Sequence, residues 1–198
     1  MIATIYFEGG GDKEATQSKC REGLSRYCAK LKKPSSRLRI VAGGSREQTF
    51  DKFKRASRIN RDGEIAVLLV DAEGPVTAGS PAEHLHNGDR WEIAVPQQKN
   101  VFLLVQTMES WFLADREALA MFYDGGFLLK SLPGNATNTE VIRKQDIEAA
   151  LKRATRNTTK GEYHKINHGT SLLALIDPAK VEKSSPHAAS FHQFLREL

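Results

Sequence analysis

Apolar residues along the chain fall into two kinds of run that alternate. Ile2 to Phe7 is apolar and β-branched and stops at Glu8-Gly9-Gly10-Gly11, the pattern of a strand ended by a turn. From about Asp12 to Lys33, Ala15, Cys20, Leu24, Tyr27, Cys28 and Leu31 make a helical stripe, and Pro34-Ser35-Ser36 ends it. Leu38 to Ala42 predicts a second strand ending at Gly43-Gly44. Ser45 then caps a helix over 46–60, with Phe50, Phe53 and Ile59 inward. Ile65 to Val70 is continuously apolar, as a strand buried on both faces of a parallel sheet must be, and it runs into Asp71-Ala72-Glu73-Gly74-Pro75. After a loop with a short helix over 81–87, Val101 to Val105 predicts a fourth strand. It opens through Thr107 into a helix lasting to about Tyr123.

Strands separated by helices imply right-handed crossovers, so the expected fold is α/β: a doubly wound sheet of about four mainly parallel strands flanked by helices. The last third changes character. Residues 125–138 read as a loop with a short strand at Phe127 to Leu129. Residues 139–156 predict a basic amphipathic helix, 161–168 are polar, and two helices follow at 170–175 and 187–198. The organisation expected is an α/β core over 1–124 and a mainly helical extension over 125–198 packed on it.

With 198 residues, 40% hydrophobic and 27% charged, the chain can bury a sizeable core and does not have the composition of a disordered one. The formal net charge of +5 is compatible with a polyanionic partner without requiring one. The start, MIATIYFEGG, lacks the basic lead and long apolar run of a signal, and no stretch approaches the ~20 apolar residues of a membrane span. A cytoplasmic protein with no membrane partner is expected. Cys20 and Cys28 lie two helical turns apart on one face, too far to be bridged to each other, and read as small core residues.

Candidate chemistry comes from where the acids fall. Glu8 ends the first strand, Asp71 and Glu73 end the third, and Glu109 follows the fourth. Parallel sheets bind ligands at that edge. Converging carboxylates repel unless a cation or proton intervenes, and Mg²⁺ takes a few carboxylates, several waters and phosphate oxygens. Gly9-Gly10-Gly11 is not a P-loop, because no Lys-Ser/Thr follows. Asp12 is expected to cap the first helix. Lys165, in the run Tyr163-His164-Lys165, could meet a phosphate, and His164 or His168 could move a proton. Cations at 52, 54, 55, 58 and 61, with Arg143, Lys144, Lys152, Arg153 and Arg156, could form a path for a nucleic-acid backbone. Trp111 is expected to pack, and Asp115 to pair with Arg116 or the C-terminal segment.

An apolar strand, Glu8-Gly9, a helix, then Asp71-Ala72-Glu73-Gly74 after another apolar strand resembles the Toprim fold of topoisomerases, primases and OLD-family nucleases. That signature is a Glu after the first strand and an Asp-x-Asp after the third, together binding Mg²⁺; here Glu73 stands for the second Asp. Three segments are similar to a bacterial Toprim-like family of unassigned function that occurs with ATPases in phage defence. They are Met108-Glu109-Ser110-Trp111-Phe112-Leu113-Ala114-Asp115, Tyr163-His164-Lys165, and Ser185-Pro186-His187-Ala188-Ala189-Ser190-Phe191 with Phe194 and Leu198. The resemblance implies an Mg²⁺- or Mn²⁺-dependent nuclease on DNA or RNA. Glu8, Asp71 and Glu73 would be metal ligands, Glu109 a further ligand or base, and Lys165 would assist at a phosphate. It also implies an ATPase partner protein, and a homo-oligomer is compatible with it. A different reading is a non-catalytic or partner-activated subunit of an ATPase-associated complex. A third, an Asp71-nucleophile phosphotransferase, lacks the Asp-x-Asp-x-Thr/Val motif.

Overall fold

Four parallel strands form one sheet in the order β2-β1-β3-β4: β1 is Ile2–Phe7, β2 Arg37–Ala42, β3 Glu64–Asp71 and β4 Val101–Leu104. The computed structural model describes residues 1–11, 13–31, 37–59, 62–134 and 137–198. Expectations for Asp12, Pro34, Ser35, Ser36, Asn60 and Arg61 lie outside the described residues. The chain leaves β1 toward β2 on one side and reaches β3 on the other. The topological switch point, where doubly wound sheets hold ligands, therefore lies between the ends of β1 and β3.

The apolar run of β3 is explained by helices on both sheet faces. Val67 and Leu69 point into one core with Ala3, Ile5 and Phe7, while Leu68 and Val70 point into the other with Phe50 and Phe53. The second face is covered by α2 (Arg46–Ile59) and α3 (Pro81–Asp89), with Trp91 stacked on Phe50 at 4.1 Å between ring centroids. A short helix, α4 (Val95–Gln98), precedes β4. The first face carries α1 (Glu14–Ala29), α5 (Glu109–Ala114), α6 (Arg116–Tyr123), α7 (Lys144–Thr155), α8 (Thr170–Leu175), α9 (Pro178–Ser184) and α10 (Pro186–Glu197). Ile147, Leu172, Val181 and Phe191 share that core with Ile5 and Val67, so the C-terminal helices are part of the packing that buries the sheet. At Gly23 a Cβ would come within 2.6 Å of the Thr170 carbonyl oxygen, which is why α1 needs glycine where it meets α8. No helix among the described residues is long and apolar enough to cross a membrane.

Ile59, expected inward, ends α2 beyond the residues that reach the sheet and is 61% exposed. Three expectations about secondary structure are also corrected. The helix predicted from residue 107 to 123 breaks at Asp115, whose carboxylate caps α6 from the Ala118 N–H and also accepts from the Asp177 N–H and from Lys180 Nζ, at 2.9 and 2.7 Å. Asp115 thus pairs with the C-terminal segment. The helix predicted over 139–156 starts later. Thr139–Val141 is a 3₁₀ turn, because Glu140 is drawn inward to accept from Ser185 Oγ and from the His187 N–H and ring. Phe127 to Leu129 forms no strand; the Leu128 N–H bonds to the Ala154 carbonyl at the end of α7, and Leu129–Ser131 is a 3₁₀ turn.

Cys20 and Cys28 are buried free thiols, each pushed up to about 12 by burial. Because the thiolate is the reactive form, neither is expected to react with a thiol reagent at pH 8 while folded, and both should react in denaturant. Timed labelling read by mass spectrometry checks this.

His192 on α10 has no exposed surface; Tyr27 meets its Nε2 at 2.9 Å and Glu182 its Nδ1 at 3.3 Å. Burial pushes its pKa down from 6.5 to about 4, against the pull of Glu182. The unfolded chain takes up this proton near pH 6.5 and the folded one does not, so stability present above that pH is lost as the pH falls toward 4. The loss at pH 4.5 is on the order of 2 kcal/mol. Urea titrations at pH 7 and 4.5 should show this step in the wild type and a smaller one in His192→Gln.

Candidate active site

β1 and β3 end side by side, with Phe7 opposite Leu69 in the register and the Glu8 N–H on the Leu69 carbonyl. Continuing one residue past β1 and closing β3 brings Glu8 and Asp71 to the switch point. Asp71 is buried at 4% exposure, an expensive place for a carboxylate unless it is hydrogen-bonded. Its Oδ1 accepts from the Met108 N–H at 2.8 Å and its Oδ2 from Lys165 Nζ at 3.2 Å, with Thr107 Oγ1 3.1 Å from Oδ2. Thr107 Oγ1 also lies 2.6 Å from Glu109 Oε2, and Tyr163 donates its hydroxyl to Glu109 Oε1 at 2.7 Å. Lys165 Nζ is 3.7 Å from Glu109. The ammonium therefore sits between two buried carboxylates. Desolvation opposes its charge, but Asp71 and Glu109 outweigh that and hold its pKa above the ordinary lysine value.

Glu8 faces the same place from β1. Burial and then the charge of Asp71 push its carboxyl above the usual range, against Arg46, with Glu73 adding to the rise and Lys165 opposing it. Arg46 donates to Glu8 Oε2 at 3.0 Å, to the Asp71 carbonyl at 2.6 Å and in a two-pronged pair to Asp89 at 2.8 Å, with its guanidinium 5.0 Å above the Trp91 ring. Glu8 Oε1 accepts no hydrogen bond from the described residues.

Of the residues expected at the site, Glu8, Asp71, Glu109 and Lys165 come together and Glu73 does not. Glu73 adopts φ +64°, its N–H bonds to the Gln106 carbonyl, and its carboxylate turns outward to Lys144. The turn begins right after Asp71, so alternation along an extended chain no longer holds and the two acids do not aim at one point. Among the described residues no group of three or more His, Cys, Asp or Glu side chains is placed to hold an ion by itself. The site still carries an imbalance. Glu8, Asp71, Glu109 and Asp89 face Arg46 and Lys165, which leaves two more carboxylates than cations. Glu8 and Asp71 would be a two-carboxylate donor set of the kind Mg²⁺ takes, with water completing it.

Residues 7–196 match the family model described as "Domain of unknown function (DUF4276)". The chain belongs to the DUF4276 family. No curated protein and no solved structure matches it.

In this DUF4276 chain the other sequence candidates lie apart from the acids. His168 Nδ1 meets the Tyr123 hydroxyl at 3.0 Å, and among the described residues neither His164 nor His168 bonds to a carboxylate of the site. Trp111 is fully buried and stacked on Tyr27 at 5.1 Å. Much of the α7 cation row is engaged: Arg143 pairs with Asp146, Lys144 with Glu73 and Lys152 with Glu148. Thr107, Tyr163 and above all Arg46 acquired their roles only in three dimensions. Arg46 did leave a signal. A cation in the first turn of a helix opposes the dipole, so an arginine there calls for a tertiary partner.

Proposed function

We propose that this protein is an Mg²⁺-dependent, Toprim-like phosphodiesterase acting on DNA or RNA, in a cytoplasmic phage-defence setting. The observation that carries the reading is the pair Glu8 and Asp71 at the switch point, with Lys165 seated between Asp71 and Glu109. Glu8 and Asp71 would hold the ion, and Glu73 would join them on leaving Lys144. When bound, the ion supplies an activated water and neutralises charge on the phosphoryl oxygens. Arg46 orients Glu8 and leaves its Oε1 open. The Met108 N–H and Lys165 fix the orientation of the Asp71 carboxylate. Glu109, with both oxygens occupied by Thr107 and Tyr163, acts by positioning Lys165. Lys165 is half-exposed, so it can turn from Asp71 to a phosphate oxygen of the substrate. Cleavage of single- and double-stranded DNA and RNA with Mg²⁺ or Mn²⁺, by wild type and Asp71→Ala side by side, tests the proposal. Cleavage by wild type alone supports it, and equal cleavage by both overturns it.

A second reading has its own observation. Lys165 and Lys144 occupy the carboxylates that an ion would need. A site closed by its own lysines suits a subunit that works only after a partner, such as an ATPase, displaces them. No cleavage by wild type alone, with cleavage on adding the protein of a neighbouring gene, would favour it.

A further inference from the structure

On the α2 face, between the C-terminal half of α2 and α4, the sheet is uncovered over β2, β1 and the start of β3. The result is a groove of about 830 Å³, within the size range of small-molecule sites. None of Glu8, Asp71, Glu73, Glu109 or Lys165 lines it. Its floor comes from Val41, Ala66 and the ring of Tyr6, with Thr4 beside them. Its rim carries Arg39, Arg55 and Lys99, all exposed and none in an ion pair among the described residues, although Glu64 also lines the groove.

We infer that this groove binds a nucleoside phosphate, either free or as one unit of a nucleic-acid strand. Unpaired guanidinium and ammonium groups around the rim suit phosphate oxygens, which arginine can take two at a time. The apolar floor with one aromatic ring suits the face of a base. Thr4 and Asn100 add neutral polar groups able to meet a base edge. An acidic peptide would use the cations but leave the floor and the neutral groups idle. The inference concerns a surface separate from the acidic site and does not require that site to bind metal.

Fluorescence anisotropy in EDTA tests it, with a fluorescein-labelled thymidine oligonucleotide, a fluorescent ATP analogue and a labelled poly-glutamate peptide as probes. Wild type should bind at least one of the first two more tightly than poly-glutamate. Preference for the oligonucleotide assigns the strand, and preference for ATP the free nucleotide. Arg55→Glu with Lys99→Glu should weaken binding by about 10-fold or more, and Arg39→Glu alone should weaken it in the same direction. Arg153→Glu with Arg156→Glu, on α7 away from the groove, should change it little. No binding of either nucleotide probe, equal binding of poly-glutamate, an unchanged affinity in the groove variants, or an equal loss in the α7 variant would each overturn the inference. Binding is read without metal, so a failure of the cleavage proposal leaves this result legible.

Discussion

If the protein is the phosphodiesterase proposed above, replacing Asp71 by Asn is expected to lower metal-dependent cleavage by roughly 100-fold or more, because it removes a carboxylate charge at the centre of the site while keeping the shape of the side chain. The amide oxygen can still accept from the Met108 N–H, the bond that ties the start of α5 to the end of β3. Folding is therefore expected to change little, and loss of activity reports on charge. Asp71→Ala loses the same activity but also leaves that buried N–H without its partner, at about 1–3 kcal/mol. Comparing the two by cleavage rate and by thermal melting separates chemistry from stability. A wild-type rate in Asp71→Asn would take the residue out of the reaction. A variant rate that falls only as far as the Ala variant's loss of folded protein would make Asp71 structural.

Arg46→Met is expected to destabilise the fold by about 3–5 kcal/mol, lowering the melting temperature by roughly 10 °C at neutral pH. The arginine, Glu8 and Asp89 are each about one-fifth exposed, so water replaces only part of what is lost. Removing the cation leaves two largely buried carboxylates, and the Asp71 carbonyl, without their donor. The deficit should shrink at acidic pH. Glu8 already has a raised pKa, so its folded form gains relative stability once it can take a proton, and that gain is lost as the pH rises through its folded value. Without Arg46 its carboxyl moves higher still and the effect extends to higher pH. Thermal melts of wild type and Arg46→Met at pH 5 and 7.5 check both parts. Equal melting temperatures at pH 7.5 would remove Arg46 as the clamp of the site.

Much of this was legible along the chain, and for a local reason. The strands announce themselves because a parallel sheet covered on both faces needs every side chain apolar, as Val67 to Val70 are. The crossovers follow from the helical stripes between them. Glu8 and Asp71 stand out because an acid directly after such a run sits at the sheet edge where ligands bind. Errors came where a distant residue overrode the local pattern. Asp115 breaks a helix that periodicity continues, since Asp177 and Lys180 claim its carboxylate, and Glu140 is turned inward by Ser185 and His187.

Sequence by itself determined the α/β class, the strands and the acids at their carboxyl ends, because periodicity and turn residues act over a few positions. Tertiary structure alone decided that β1 and β3 are neighbours at the switch point and that Glu73 turns away to Lys144. It also decided that Arg46 clamps Glu8 to Asp89, and that Lys165, 94 positions from Asp71, fills the space between the carboxylates. Such contacts depend on loop closure and on burial shared by many elements, and a side chain's charge has no period from which its partner could be read.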